Sequence, residues 1–283
     1  MTEDQQDSIG TSRRSGSRSR PARRRRRPPA FIAIPAAIGL ALFALPVLGL
    51  LGRAPWSRLA TLLGSDMALE ALRLSAISSA SAAIISLFLG VPVAWILCRY
   101  EFPGRSLLRG LVLLPMVLPP VVGGAALLFA LGRRGLVGSP LYETTGIVLP
   151  FSTGGVILAG AFVAMPLMVL TVEGALRSLD HRFERAAETL GAGRWTVLRR
   201  VTIPMIAPSV VAGTALTWAR ALGEFGATLT FAGNLQGRTQ TLPLAVFVAL
   251  ESDRDTALAL SLVMVVVSLA VIVALRDHWW RSG

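Results

Sequence analysis

The chain has 283 residues, of which 53% are hydrophobic, and its mean hydropathy is +0.62. This composition is too apolar for an ordinary soluble domain of that length and indicates a membrane protein with one bundle of spanning segments. The sequence contains 28 arginines and no lysine, which excludes a phosphate-binding loop of the G-x-x-x-x-G-K-[ST] type, and its single cysteine excludes an internal disulfide bond.

The first 28 residues form an arginine-rich segment that includes five consecutive arginines at 23–27. Mixed with serine, glycine and proline, this segment can bury little apolar surface, so we expect a disordered cytoplasmic tail over residues 1–28. We interpret it as a topogenic signal that also touches anionic lipid. Nucleic-acid binding is the alternative for such a charge run, but we expect no nucleic-acid partner.

Six long apolar windows predict membrane-spanning helices, because about 20 apolar residues cross the hydrocarbon core. The predicted spans cover about residues 30–52, 74–98, 108–132, 148–173, 201–222 and 256–275. Together they make an all-α, polytopic transmembrane domain over residues 29–276, followed by a cytoplasmic C-terminus at 277–283. A seventh apolar stretch, Thr239 to Leu250, is too short to span and is interpreted as a re-entrant or interfacial helix.

Six spans place both termini on one side of the membrane, and the arginines divide 20 to 8 in favour of that side. Because arginine is enriched in cytoplasmic loops, we expect both termini in the cytoplasm and the chain in the plasma (inner) membrane. The tail carries much of this signal, and Arg133 with Arg134 in a predicted outside loop is a local exception.

The third predicted span carries Pro115, Pro119 and Pro120, with Gly123 and Gly124 close behind. Proline lacks a backbone donor and clashes one turn back, so this span is expected to kink. A packing kink with small residues at a helix contact is one interpretation. The functional alternative is that the span lines a translocation path, with Pro119, Pro120 and Gly123 as candidate path or gate residues.

The segment LDHRFERAAETLGAGRWTVLRRVTIP, residues 179–204, predicts a short amphipathic helix over about 180–191. Asp180 suits its N-cap, and Gly191 suits a left-handed stop. The apolar positions recur at i, i+3, i+4 and i+7 and form one stripe: Phe183, Ala186, Ala187 and Leu190. The opposite face has mixed charge: Arg182, Glu184, Arg185 and Glu188. A helix lying in the lipid interface is one interpretation, but the small stripe and the mixed charge favour docking of a cytoplasmic partner.

The same segment resembles the E-A-A…G…I-x-L-P signature of ABC importer permeases. The matching residues are Ala186, Ala187, Gly191, Val201, Ile203 and Pro204. The resemblance implies a type I ABC importer permease fold, in which this helix is the coupling helix that sits in a groove of the nucleotide-binding subunit. It assigns coupling to Glu184, Ala186, Ala187, Leu190 and Gly191, although Arg185 stands at the usual glutamate position.

Two further stretches, LLPMVLPPVVGG at 113–124 and RALGEFGATLTFAGNLQGRTQTLPLAVF at 220–247, resemble molybdate and sulfate permeases. The phrases GATLTFAGN and TQTLPL resemble the molybdate branch most. The resemblance therefore implies molybdate import, with sulfate or thiosulfate as the alternative cargo. Tungstate has the same charge and a similar size as molybdate, so it remains open as well.

Neutral hydroxyl and amide groups compensate the desolvation of an oxyanion weakly and so allow its release. Thr228, Thr230 and Asn234 are candidate path or gate residues of this kind, with ordinary turn residues as the alternative. Glu224 would repel an anion unless it is paired. Arg220, one helical turn back, is its expected structural partner.

The predicted spans lack the catalytic constellation of a membrane enzyme and the intramembrane acids of an ion-coupled transporter. The resemblance implies a transport subunit without its own ATPase site or cofactor, because ATP and magnesium bind the partner ATPase. The two histidines, His181 and His278, are too far apart to suggest a metal motif. The expected partners are a second copy of this chain, two ATPase subunits, an extracytoplasmic molybdate-binding protein and the lipid bilayer.

Overall fold

A computed structural model describes residues 29–280 of the chain. The predicted arginine-rich tail at 1–28 and the last three residues of the predicted C-terminus lie outside the described residues. The chain divides into two compact units, Met1–Val47 and Leu48–Gly283. The described part of the first unit belongs to helix α1, Ala30–Arg53, whose length and apolar composition suit a membrane span.

Every regular element described in the second unit is helical, which confirms the predicted all-α class. In chain order these are the end of α1 followed by α2 (Leu59–Leu63), α3 (Asp66–Arg99), α4 (Arg105–Val117), α5 (Pro120–Leu131), α6 (Gly138–Thr145), α7 (Thr153–Ser178), α8 (His181–Thr189), α9 (Arg194–Val197), a π-helical turn (Leu198–Thr202), α10 (Ile203–Leu222), α11 (Gly226–Ala232), α12 (Leu242–Ser252) and α13 (Arg254–Trp280).

Five of the described helices are long and apolar enough to cross a membrane: α1, α3, α7, the continuous stretch from α9 through α10, and α13. They correspond to the first, second, fourth, fifth and sixth predicted spans. The second begins earlier than predicted, at Asp66, because the Ser65 side chain accepts a hydrogen bond from Ala68 N at 3.4 Å and caps the helix there. Its first turns contain charged side chains, so the charge-free stretch of the sequence begins later than the helix.

The third predicted span is not one kinked helix but two helices, α4 and α5. The chain is extended at Leu118 (ψ 136°) and at Pro119 (ψ 132°), and α5 begins at Pro120. A residue that precedes proline is driven out of the helical region, and here two consecutive prolines act on neighbouring residues. Pro115, by contrast, lies inside α4 without ending it.

The largest hydrophobic core lies where α3 and α10 pack against α7. Its buried residues include Leu97, Met168, Val172, Leu176 and Ile206. Glycines bring the helices close: a β-carbon on Gly90 would lie 3.0 Å from Met168 Cγ, and one on Gly213 would lie 3.2 Å from Thr171 Cβ. Helix α7 is therefore the centre of this core, and its C-terminus leads directly into α8.

Two smaller cores position the short helices between α10 and α13. Phe231 of α11 is buried with Leu127 of α5 and Val163 of α7. Leu242 of α12 is buried with Ala71 of α3 and Leu260 of α13. The seventh apolar stretch is helical as expected, since α12 covers most of it.

Candidate functional site

Helix α8 coincides with the predicted coupling helix and has both of its predicted ends. The Asp180 carboxylate accepts a hydrogen bond from Arg182 N at 2.9 Å, as an N-cap does. At the other end Gly191 has a φ of +85°, and Ala192 N donates to Ala187 O at 3.0 Å. This is a left-handed helix stop of the kind that glycine adopts most easily. The sequence therefore fixes where this helix begins and ends.

The apolar stripe of α8 faces away from the rest of the described chain. Phe183 is 56% exposed and Leu190 is 89% exposed, while Ala186 is exposed and Ala187 half-buried. The stripe belongs to a short helix with a charged rim, and it follows α7 after only two residues. A contiguous apolar surface of this kind is typical of an interaction site.

Glu184, which the sequence places on the charged face of α8, is buried against other parts of the chain. The residue is only 9% exposed, and its Oε1 accepts hydrogen bonds from Arg99 Nη2 at 2.5 Å and Thr202 Oγ1 at 2.7 Å. Its Oε2 lies 2.9 Å from His181 Nδ1. Burial opposes ionisation of Glu184, but the hydrogen bonds from Arg99, Thr202 and His181 outweigh it and lower the pKa of the carboxyl to about 2. Its carboxylate is thus committed within its own chain, and its predicted role in coupling remains a prediction.

A second buried carboxylate, Glu173, was not singled out from the sequence. It lies near the end of α7, and its Oε1 accepts hydrogen bonds from Arg177, at 2.7 Å, and from Arg109 of α4. The fourth predicted span, 148–173, ends at this residue, and a single charge at the end of a span suggested no further role. The four-residue spacing of Glu173 and Arg177 could have predicted their ion pair from the sequence. The contact with Arg109 could not be predicted, because it depends on the packing of α4 against α7.

Helices α5 and α11 bring several candidate path residues together. A β-carbon on Gly124 would lie 2.8 Å from Thr230 Cβ, so the third predicted span directly contacts the segment after the fifth. Gly123 instead faces α7, where a β-carbon would lie 3.3 Å from the ring of Phe162. Pro119 is the residue before α5 and Pro120 its first residue. The hydroxyl of Thr230 is bonded to its own helix, at Gly226 O.

Thr228 and Asn234 occupy different positions around α11. Thr228 is buried within the helix, whereas Asn234 follows the left-handed Gly233 (φ +77°) just after it. Among the described residues the buried Asn234 Oδ1 has no hydrogen-bond partner. An unpaired buried acceptor is uncommon, and a group of this kind often has a functional partner or a water molecule. Neither residue's role in the path is tested by its position.

The predicted pair of Arg220 and Glu224 is present. Arg220 Nη1 donates to Glu224 Oε2 at 2.8 Å, and the carboxylate, 3% exposed, also accepts from Ala227 N at 2.8 Å. One oxygen therefore neutralises the arginine, and the other caps α11. The pair lines a cavity of about 340 Å³ together with Pro120 and Gly226. Its structural role extends from the end of α10, where it was expected, to the start of α11.

The chain resembles known transport proteins over most of its length. The model of the family described as binding-protein-dependent transport system inner membrane component matches residues 86–279. The molybdenum transport system permease protein ModB of Mycobacterium tuberculosis is 46% identical over 244 residues, which cover 86% of this chain and 92% of that protein. The sulfate transport system permease protein CysT of Escherichia coli is 36% identical over 234 residues, which cover 82% of this chain and 84% of that protein.

A solved structure has the same fold. It is a bacterial alginate ABC transporter in complex with an alginate pentasaccharide-bound periplasmic protein, and one of its chains superposes with a TM-score of 0.70 over 86% of this chain and 90% of its own length. At 18% identity this likeness concerns the fold alone. The family match and the identity to the permeases go further, and they show that the chain belongs to the inner membrane components of binding-protein-dependent transport systems.

Proposed function

We propose that this chain is the membrane-spanning permease subunit of an ABC importer and that it translocates molybdate with energy from ATP hydrolysed by a partner subunit. The observation that carries the cargo assignment is its 46% identity to a molybdenum permease over 92% of that protein's length. The match to a sulfate permease is weaker, with 36% identity over 84% of that protein's length. The molybdate-like phrases lie at α11 and at the start of α12, beside the candidate path.

The exposed stripe of α8 supports the dependence on a partner ATPase. The chain contains no lysine, which excludes a phosphate-binding loop of the lysine-containing type, and in this proposal ATP and magnesium bind the partner. The stripe presents Phe183, Ala186 and Leu190 outward while Glu184 anchors the helix from within. In this proposal Ala186, Ala187, Leu190 and Gly191 make or shape the contact with the ATPase.

The assembly we propose is a homodimer of this chain with two ATPase subunits and an extracytoplasmic molybdate-binding protein. One docking helix per chain and two ATPase subunits favour a two-fold arrangement. The alginate transporter with the same fold was solved with a periplasmic protein bound, which supports a binding-protein partner. The arginine distribution supports cytoplasmic termini and a cytoplasmic α8.

The path in this proposal runs along α5 and α11. Its candidate residues are Pro119, Pro120 and Gly123 at α5 and Thr228, Thr230 and Asn234 at α11. The unpaired Asn234 Oδ1 is an acceptor and would not hold an oxyanion itself, but the amide nitrogen of the same side chain is a donor. Neutral donors fit a path that must release its cargo.

The experiment is deletion of the gene, followed by uptake measurements with radiolabelled molybdate and sulfate at submicromolar concentrations. High-affinity molybdate uptake should be lost and restored by the intact gene, while sulfate uptake and growth on sulfate stay normal. Loss of sulfate or thiosulfate uptake instead would favour the second candidate, which the 36% identity to CysT supports. Competition by tungstate in the complemented strain decides whether the importer separates the two metals' oxyanions.

A further inference from the structure

Glu184 joins three parts of the chain that are separate in sequence. Arg99 is the last residue of α3, and Thr202 is the last residue of the π-helical turn that leads into α10. Both donate to Glu184 Oε1, at 2.5 and 2.7 Å, so a single carboxylate oxygen joins them. Helix α8 is therefore fixed to the two helices that pack on α7, in addition to its covalent link to α7 itself.

Arg99 is held in place for this contact by its own helix. Its guanidinium carbon lies 5.1 Å from the ring centre of Trp95, one turn back on α3. A cation stacked on an indole ring loses some of its freedom to reorient. The side chain is thus a short, restrained arm from α3 to α8.

The bridge borders a space that side chains do not fill. A cavity of about 640 Å³ lies beside it, lined among others by Trp95, Tyr100, Glu188 and Trp195. Close helix packing therefore does not connect this part of α8 to the end of α3, and the ion pair does.

The covalent link from α8 towards α10 is pliant by comparison. The four residues between α8 and α9 are Leu190, Gly191, Ala192 and Gly193, and glycine gives the backbone the greatest conformational freedom. A displacement of α8 would be absorbed in this link before it reached α10. The hydrogen bond from Thr202 bypasses the link, because Thr202 is 1% exposed and lies at the entry to α10.

We propose that Glu184 is a positioning residue that transmits the movement of α8 to α3 and α10, and that it acts within this chain and does not contact the ATPase. The proposal rests on the proposed function in one respect: the force on α8 comes from an ATPase at the exposed stripe. Glu184 is buried on the inner side of the helix, whereas Phe183 and Leu190 are exposed on the outer side. In this proposal the exposed side of α8 binds the ATPase, and the buried side transmits the movement of α8 to α3 and α10.

The decisive variant is Glu184→Gln, which keeps the side-chain size and removes the charge. The matched control is Glu188→Gln, one turn later on the same helix, where the side chain is exposed and makes no ion pair among the described residues. Each full-length variant is reconstituted in lipid with its ATPase and binding protein, and ATP hydrolysed per anion imported is measured. Glu184→Gln should co-purify with the ATPase as the original chain does, but consume several-fold more ATP per anion, while Glu188→Gln should keep the original ratio.

A second variant guards against a folding defect. Thr202→Val preserves the ion pair of Arg99 and Glu184 and removes only the hydrogen bond that connects Glu184 to the start of α10. The ATP hydrolysed per anion imported should therefore rise less in this variant than in Glu184→Gln. Hydrogen exchange of the α8 amides in the purified chain tests the anchor without any cargo, and Glu184→Gln should speed it. Loss of ATPase binding in Glu184→Gln, an unchanged ratio, or unchanged exchange would each overturn the proposal. If the original complex imports sulfate and not molybdate, the cargo assignment fails, but the same ratio is then measured with sulfate.

Discussion

Pro120 of α5 and Gly226 of α11 lie so close together that the glycine has no room for a side chain. A β-carbon on Gly226 would lie 2.8 Å from Pro120 Cβ, inside the normal contact distance. Close by, a β-carbon on Gly124 would lie 2.7 Å from Ala227 O. The spacing of α5 and α11, which carry most of the candidate path residues, therefore depends on a glycine in each helix.

Gly226→Ala should destabilise the chain by roughly 1–3 kcal/mol, because the proline ring it meets cannot rotate away. The control is Gly174→Ala on α7, where a β-carbon would meet nothing within 4 Å and alanine favours the helix. Thermal unfolding in detergent should show a lower midpoint for Gly226→Ala than for Gly174→Ala. Equal midpoints would mean that α5 and α11 can separate at little cost.

Ser75→Ala should loosen the start of α12. The buried Ser75 hydroxyl oxygen accepts a hydrogen bond from Leu242 N at 2.6 Å, so α3 supplies a capping group that α12 lacks from its own residues. Loss of a capping hydroxyl costs on the order of 1 kcal/mol. Ser79→Ala is the control, since that hydroxyl bonds only to backbone oxygens of its own helix. Hydrogen exchange at the start of α12 should rise in the first variant alone.

The local features of α8 could be predicted from the sequence, because they depend on neighbouring residues. Asp180 caps the helix and Gly191 ends it in a left-handed conformation. The same is true of the ion pair between Arg220 and Glu224, which lie one turn apart. In patterns of this kind the interacting residues are only a few positions apart, so the helix itself determines their distance.

The position of Glu184 could not be predicted, since a helical pattern does not tell which charged residue faces the chain's own core. Its partners Arg99 and Thr202 come from other helices, and only the packing of α3 and α10 on α7 brings them together. The split of the third span had a local signal in Pro119 and Pro120, but the prediction stopped at a kink. Two adjacent prolines before and at a helix start favour a full break.

Acidification should weaken the anchoring of α8. The pKa of Glu184 is about 2 in the folded chain against its usual value of 4.5, so its contribution to stability is complete above pH 4.5 and is lost as the pH falls towards 2. Between about pH 6 and about pH 3, the unfolding midpoint should fall more in the original chain than in Glu184→Gln, which has no such proton to bind. All other carboxylates are the same in both proteins, so the comparison isolates the contribution of Glu184. Parallel curves for the two proteins would contradict the assignment.

The topology predicts where reporter fusions are active. A fusion at Gly283 should report from the cytoplasm, and one near Ser139, in α6 between α5 and α7, should report from outside. The arginine distribution is the physical reason, since 20 arginines fall on the side of the termini and 8 on the other. A C-terminal fusion that is active outside would reverse the assignment of α8 to the cytoplasm.

Gly191→Ala should weaken the partnership with the ATPase without disturbing the spans. The φ of Gly191 is +85°, and a β-carbon there would meet nothing within 4 Å, so the penalty is backbone strain alone, about 1 kcal/mol or more. Gly193→Ala is the matched control, because that residue also has open space around it but a φ of −67°, which alanine tolerates. Both variants should insert into the membrane as the original chain does, while Gly191→Ala alone retains less ATPase on co-purification and imports molybdate more slowly. If both variants retain the ATPase and import at the original rate, the end of α8 does not shape the docking surface, and the helix is better interpreted as lying in the lipid interface.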